Sequence, residues 1–158
     1  AKLEPGEGDT LVIAGMGGPL MERILKDGAK VREGFQELIL QPQSDLPHFR
    51  HFLAEIGWEI VSEEMIKEDG KFYPMMKAVR NNSGKKTVYT EEEAWFGPLL
   101  LEKRHPVLKE YLLREEMIRK KILAGLSGAE SVSAKTRLAE VKEEMELIKS
   151  ALKRYESI

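Results

Sequence analysis

The chain has 158 residues, 42% of them hydrophobic, which is enough for one domain with a substantial core or for a small domain with an appendage. It has no cysteine, which excludes disulfide bonds, thiolate catalysis and cysteine-ligated metal sites. The net charge of −2 gives no general attraction to nucleic acid. The charge is uneven, however: residues 1–97 carry 12 Lys and Arg against 17 Asp and Glu, and residues 98–158 carry 13 Lys and Arg against 10 Asp and Glu. The positive balance of the second part weakly favours an anionic partner there.

No apolar run approaches the roughly 20 residues that cross a bilayer, and no charged-then-apolar leader opens the chain. We therefore expect no membrane partner and a cytoplasmic location. The chain begins with Ala1 rather than Met. This start favours processing or truncation.

The first predicted element is a strand at residues 11–14 (LVIA), a continuous apolar run typical of a central parallel strand covered on both faces. Three glycines in four residues follow it. A helical spacing of apolar residues then resumes and fades near Gly28; its members are Leu20, Met21, Ile24 and Leu25.

A second buried-type strand is predicted at residues 37–41 (ELILQ), and Pro42 stops it. Asp45 suits the N-cap of a following helix, with Pro47 in its first turn and Gly57 at its end. The order strand, helix, strand, helix is typical of a doubly wound α/β sheet.

An antiparallel hairpin is predicted next. Residues 58–67 alternate, the Asp69-Gly70 pair is a strong hairpin turn, and residues 72–80 read as the return strand. Pro74 in that strand indicates an edge position or a bulge. The polar segment 81–87 then predicts a boundary, which gives a domain at 1–80, a connector at 81–90 and a helical domain at 91–158.

The helical part starts at Glu91, breaks at Gly97-Pro98, and continues with a long helix over residues 107–123. After a turn with two glycines, apolar residues alternate in steps of four and three, which is a heptad pattern. The sequence therefore predicts an antiparallel coiled-coil hairpin. The pattern consists of Ala134, Leu138, Val141, Met145, Ile148, Leu152 and Tyr155.

The glycine-rich exit from the first strand, Gly15-Met16-Gly17-Gly18, is the main candidate site. It admits two interpretations: a tight strand-to-helix turn, or a loop whose backbone lies close to a ligand. In open α/β sheets ligands bind at the carboxyl ends of strands, and Gln41-Pro42 would end the second strand on the same side. The stretch is not a dinucleotide-binding GxGxxG motif.

Two other candidates are weaker. His48 and His51 lie three residues apart on one predicted helix, but no matched third ligand is visible, so we expect no metal site. A basic cluster on the first long helix suits phosphate contacts or is a solvated helix face, and both interpretations stay open. Its members are Arg114, Arg119, Lys120 and Lys121.

The segments "IAGMGG" (13–18), "LILQP" (38–42), "EDGKFY" (68–73) and "GPLLLEKRHPVLKEYL" (97–112), in this order, resemble the bacterial tRNA adenine-N1-methyltransferases that modify adenine 22. The resemblance extends over nearly the whole chain. It implies the C-terminal part of a Rossmann-like class I methyltransferase sheet, β-α-β-α plus an antiparallel hairpin, followed by an α-helical coiled-coil hairpin. Gln43 departs from the family, which tends to have Asn there.

The resemblance also implies S-adenosyl-L-methionine as cofactor and tRNA as partner. It assigns catalytic roles to Gly15, Met16 and Gly17, and cofactor contacts to Ala14, Gly15, Met16 and Gly18. Substrate contacts fall on Gln41 and Pro42 and on the basic cluster.

Family members begin with a further segment that holds the first strand and its methionine-binding loop, and this chain has no counterpart of it. The resemblance therefore implies a truncated chain that is inactive alone. It further implies that the 11–14 strand edge is open to self-association or to the missing N-terminal segment. The alternative is a non-catalytic RNA- or protein-binding module that works through the helical hairpin.

Overall fold

A four-stranded mixed sheet forms the centre of the first of two units, Ala1–Leu100 and Leu101–Ile158. The computed structural model describes residues 3–156. The strands are β1 (Thr10–Met16), β2 (Glu37–Pro42), β3 (Trp58–Glu68) and β4 (Lys71–Arg80), in the order β1-β2-β4-β3. β1 and β2 are parallel, and β4 is antiparallel to both neighbours. The predicted α/β class, with two parallel strands and an added hairpin, is confirmed.

Five helices start within the first unit: α1 (Gly18–Asp27), α2 (Ala29–Arg32), α3 (Leu46–Glu55), α4 (Glu91–Phe96) and α5 (Pro98–Glu102). α1 ends at Gly28, as predicted. Asp45 is the N-cap residue of α3, but its φ is 52° and its side chain makes no capping bond. The predicted position is correct and the predicted capping mechanism is wrong, because the backbone enters α3 through the left-handed region.

The hairpin turn at Asp69 and Gly70 is confirmed, since both residues have positive φ, 51° and 76°, as a type I′ turn requires. Pro74 lies in β4, which is an interior strand. β2 pairs with β4 only from Met76 to Val79, so Pro74 lies beyond that pairing. The missing N–H of Pro74 therefore costs the β2–β4 ladder nothing.

Only one face of the sheet is covered by the core of the first unit. Leu38 and Leu40 of β2 are fully buried, whereas Ile39 between them is 37% exposed, and Val12 of β1 is 61% exposed. The expectation that the 11–14 strand is central and covered on both faces is therefore wrong for the described residues. The core side chains from α1 and α3 belong to one cluster with the buried face of the sheet; they are Met21, Leu25, Phe49, Leu53 and Ala54.

β1 lies at the end of the sheet, where among residues 3–156 it pairs with β2 alone. The open strand edge that the family resemblance implied is thus observed for β1, and the exposed Val12 lies on this strand. An apolar edge strand presents a row of N–H and C=O groups to which another strand can pair.

The segment after the hairpin packs on the first unit as far as Leu100. Thr90 and Glu93 form a capping box that starts α4 at the predicted run of three glutamates. Tyr89 and Ala94 belong to the same core as the sheet. The domain limits at residues 80 and 91, which the sequence predicted, stay a prediction.

The second unit contains two long helices, α6 (Pro106–Leu126) and α7 (Val132–Lys153), which pack against each other. Both helices were predicted. The hydroxyl of Tyr155 donates to the carbonyl of His105 over 2.7 Å, so the start of α6 lies beside the end of α7. The buried side chains on the two helices are Leu108, Leu112, Val141, Met145, Ile148 and Ala151. No helix within the described residues is long and apolar enough to span a membrane.

Candidate functional site

The carboxyl ends of β1 and β2 bring together seven residues that the sequence singled out: Ala14, Gly15, Met16, Gly17, Gly18, Gln41 and Pro42. Ala14 is the register partner of Gln41, and Met16 is that of Pro42. We call this group the strand rim. It lies where ligands bind in open α/β sheets.

Gly15 is a bulged residue at the strand rim. The register of the β1–β2 pairing shifts between Ala14 and Met16, which leaves Gly15 as the extra residue, and its φ is 76°. A Cβ atom at Gly15 would meet nothing within 4 Å. Glycine is therefore required here by the backbone conformation and not by crowding, and the main chain beside it is open.

The side chain of Gln41 holds this bulge. Its Oε1 accepts a hydrogen bond from the backbone N–H of Gly15 over 2.8 Å. Because the donor is a backbone N–H, the atom that faces it is the amide oxygen and not the amide nitrogen. The sequence placed both residues on the rim, but no pattern in it indicated this bond.

Gly18 is explained by packing. Its N–H donates to the carbonyl of Ser44 over 3.1 Å and to Ser44 Oγ over 3.3 Å. A Cβ at Gly18 would lie 2.4 Å from the Ser44 carbonyl oxygen, and one at Gly17 would lie 2.9 Å from Ser44 Oγ. The tight-turn interpretation therefore accounts for the second half of the glycine stretch, and Gly15 is the part that remains open to a ligand.

A shallow depression of about 310 Å³ lies on the open face of the sheet and reaches the strand rim at Ala14 and Gln41. Its lining is mainly apolar, and it extends from β1 to the hairpin. The other residues that line it are Val12, Ile13, Ile39, Ile66, Glu68, Tyr73 and Met75.

The two histidines of α3 have separate neighbours. His48 Nδ1 lies 2.7 Å from Glu22 Oε1, and the His51 ring lies 6.4 Å from the ring of Tyr89. Within residues 3–156 no three His, Asp or Glu side chains form a group that could hold a metal ion.

The basic cluster of α6 divides into two kinds of residue. Arg119 is only 15% exposed, and it pairs with Glu115 on its own helix and with Glu144 on α7. Burial lowers the pKa of Arg119, but the two carboxylates outweigh this effect and raise it. Lys120 and Lys121 are exposed, with Lys120 3.6 Å from Glu116. Arg114 lies over the Tyr111 ring and pairs with Glu115.

The family model described as "tRNA (adenine(22)-N(1))-methyltransferase" matches residues 1–150. The chain belongs to this family. It is 29% identical over 153 residues to the tRNA (adenine(22)-N(1))-methyltransferase of Bacillus subtilis (strain 168), which covers 95% of this chain and 64% of that protein.

Solved structures agree with this family and with the fold. A Streptococcus agalactiae protein described as a member of the NADB-Rossmann superfamily superposes with a TM-score of 0.80 at 26% identity, over 96% of this chain and 66% of that one. Streptococcus pneumoniae Sp1610, described as a putative tRNA (m1A22) methyltransferase in complex with S-adenosyl-L-methionine, superposes with a TM-score of 0.77 at 26% identity. The match covers 91% of this chain and 60% of that one. The sheet is thus Rossmann-like, and the chain spans just under two thirds of the length of these relatives.

Two features of the site in this family member were not predicted. One is the bond from Gly15 to Gln41, and the other is the pairing of Arg119 with Glu144, which joins α6 to α7. Glutamate at position 144 lies outside the apolar pattern of α7, and only the packing of the two helices shows what it contacts. The order of charged residues along the chain does not show which of them pair between two helices.

Proposed function

We propose that this chain is part of a tRNA-modifying enzyme that transfers the methyl group of S-adenosyl-L-methionine to N1 of adenine 22. The observation that carries the proposal is the family match over residues 1–150, together with the open Gly15 bulge near the end of β1. Because the chain spans under two thirds of its relatives, the activity is proposed for the protein that contains it.

The residues of the strand rim fit the cofactor in part. Ala14 and Gly15 are exposed, and Met16 is half-buried, so their backbone can face a bound ligand. The Gly18 N–H is donated to Ser44, so this glycine serves the turn. When bound, S-adenosyl-L-methionine supplies an electrophilic methyl carbon on a positively charged sulfur.

Methyl transfer to adenine N1 does not require a strong acid or base from the protein. Neutral adenine N1 carries a lone pair, so no proton has to leave before the N–C bond forms and the C–S bond breaks with its electrons on sulfur. The strand rim contributes orientation, which alone can supply several kcal/mol. The backbone carbonyl of Gly15 accepts from the exocyclic amine and stabilises the positive charge that develops on the ring, whereas the Met16 carbonyl is bonded to the Gln43 N–H. A paired adenine must first be extruded, which costs a few kcal/mol.

We propose that the open edge of β1 is paired by a further strand in the active protein, with helices over the open face of the sheet. The exposed Val12, Ile39 and Ile66 side chains support this, because such apolar surface is seldom left bare. The family resemblance points to an N-terminal segment as the occupant. Without that segment, we expect the chain to associate through the β1 edge.

We propose that α6 and α7 form a coiled-coil hairpin that contacts tRNA. The buried Val141, Met145 and Ile148 follow steps of four and three along α7, in agreement with a heptad pattern. Lys120 and Lys121 are the exposed cations of the predicted cluster and suit phosphate contacts. A tRNA substrate also implies that the protein works in the cytoplasm.

The proposal is tested by titrating S-adenosylhomocysteine, by calorimetry, into this chain and into a form that carries the N-terminal segment typical of the family. We expect binding by the extended form and weak or no binding by the chain alone, since the strand rim would form one wall of the site. Binding by neither form, with tRNA binding retained, would favour the non-catalytic RNA-binding module instead.

A further inference from the structure

We propose that Gln41 is a positioning residue, which sets the geometry of the strand rim through its hydrogen bond to Gly15. This inference rests on the proposed function, since Gly15 is the part of the rim assigned to face the ligand. It differs from the direct substrate contact that the sequence led us to expect of Gln41.

The bulge at Gly15 interrupts the regular pairing of β1 with β2. Gly15 is the extra residue between Ala14 and Met16, so the regular β1–β2 pairing does not fix its peptide groups. No atom lies within 4 Å of a Cβ placed at Gly15, so the space on that side of the residue is open. Its N–H is held by the 2.8 Å bond to Gln41 Oε1.

Gln41 is the register partner of Ala14 on the neighbouring strand, and it is followed by the buried Pro42, so its backbone is held by the sheet. From this position the Gln41 side chain reaches the backbone of Gly15, and it therefore links β2 to the bulged residue of β1.

The turn that follows Gly15 is held by its own backbone bonds. Met16 and Gly18 are fixed by backbone bonds, from Gln43 N–H to the Met16 carbonyl over 2.9 Å and from Gly18 N–H to Ser44. The C-terminal half of the rim is thus fixed by backbone bonds, whereas Gly15 is held by the side chain of Gln41. Removing the Gln41 bond releases Gly15 without unfolding the turn that follows it.

The experiment compares Gln41→Leu, which removes the acceptor, with Gln41→Glu, which keeps an oxygen at the same distance. Gln36→Leu is the matched control, because Gln36 is an exposed glutamine immediately before the other end of β2. Amide hydrogen exchange of Gly15 is measured by NMR in this chain. Loss of one hydrogen bond should speed that exchange by about three- to tenfold in Gln41→Leu. In Gln41→Glu and Gln36→Leu, the exchange rate of the Gly15 amide should stay close to that of the parent chain.

Turnover is then measured in the N-terminally extended form. A positioning role predicts a kcat about tenfold lower for Gln41→Leu, an almost unchanged KM for tRNA, and recovery of most of the loss by Gln41→Glu. Unchanged Gly15 exchange in Gln41→Leu would overturn the proposal, as would a loss in Gln41→Glu equal to that in Gln41→Leu. If Gly15 exchange responds as expected but the parent transfers no methyl group, the proposed function fails and the Gln41 restraint stands.

Discussion

Arg50 of α3 and Glu63 of β3 form an ion pair that is almost completely buried, with each residue 1% exposed. Arg50 Nη2 lies 3.0 Å from Glu63 Oε2, and Arg50 Nη1 donates to the carbonyl of Ala94 over 2.7 Å. Glu63 Oε1 accepts from the backbone N–H of Leu99 over 2.9 Å. The pair therefore ties the α4–α5 segment to the sheet and to α3.

Replacement of one partner of this pair should be strongly destabilising. Arg50→Met leaves the Glu63 carboxylate buried without its guanidinium, and we expect a loss of about 3–5 kcal/mol in the free energy of unfolding, measured with urea. Lys86→Met, which breaks the exposed pair with Glu55, is the control and should cost under about 1 kcal/mol. Equal effects of the two substitutions would show that the buried pair does not hold the segment.

Two glycine-to-alanine substitutions should change stability in opposite directions. Gly18→Ala would place a Cβ 2.4 Å from the Ser44 carbonyl oxygen, so we expect a loss of about 1–3 kcal/mol. Gly125→Ala lies in α6 with no atom within 4 Å of the new Cβ, and should stabilise the chain by about 0.5 kcal/mol. Thermal unfolding of both variants measures the difference. A Gly18→Ala protein as stable as the parent would contradict the packing role assigned to Gly18.

Tyr155 should make the second unit less stable at high pH. Burial raises the pKa of Tyr155 to about 12, above its ordinary value near 10. Between these values the unfolded chain loses the phenol proton and the folded chain keeps it. Stability is therefore unaffected below about pH 10 and falls by about 1 kcal/mol per pH unit above it, after allowance for solvent screening.

Tyr155→Phe tests this pH dependence. The variant loses the bond to the His105 carbonyl and should be less stable than the parent near neutral pH. The difference in the free energy of unfolding between the two proteins should decrease as the pH rises from 10 to 12, as measured by urea titration at each pH. A difference that stays constant would mean that Tyr155 ionises equally in the folded and unfolded chains.

Charge changes at exposed lysines should weaken tRNA binding without disturbing the helices. Lys120→Ala with Lys121→Ala should lower the affinity for tRNA and reduce the slope of log K against log salt by roughly one to two, through loss of released counterions. Arg119 is left intact, because its bonds to Glu115 and Glu144 join α6 and α7. Filter binding at several salt concentrations measures the effect. Lys135→Ala with Lys142→Ala on α7 is the matched control, and a larger loss there would move the RNA surface to α7.

The elements of the fold could be predicted from sequence because each has a local signal. Alternation and the Asp69-Gly70 turn predicted the hairpin, and glycine and proline marked the ends of α1 and α3. The apolar run at residues 11–14 predicted a strand but not its exposure. A run of this kind reports the hydrophobicity of both faces, whereas exposure depends on which helices are present to cover them.

The candidate site was predicted in its location and only in part in its roles. The glycines after β1 indicated the strand rim, but the sequence could not separate Gly15, which is open, from Gly18, which packs on Ser44. Gly15 lies 26 residues from Gln41 along the chain, and Glu144 lies 25 residues from Arg119, so no local pattern contains these contacts. Arg50 and Glu63 are 13 residues apart and lie on different elements. They follow from the packing of whole elements.

We propose that the Gly15 bulge is part of the catalytic wall of a tRNA adenine-N1-methyltransferase. The most direct measurement is methyl transfer from labelled S-adenosyl-L-methionine to tRNA by the N-terminally extended form, with the modified position mapped by mass spectrometry. We expect 1-methyladenine at position 22, and a large loss of turnover for Gly15→Val, because a β-branched residue does not adopt the φ of 76° that the bulge requires. Full turnover by Gly15→Val, or methylation at a different atom or position by the parent, would contradict it.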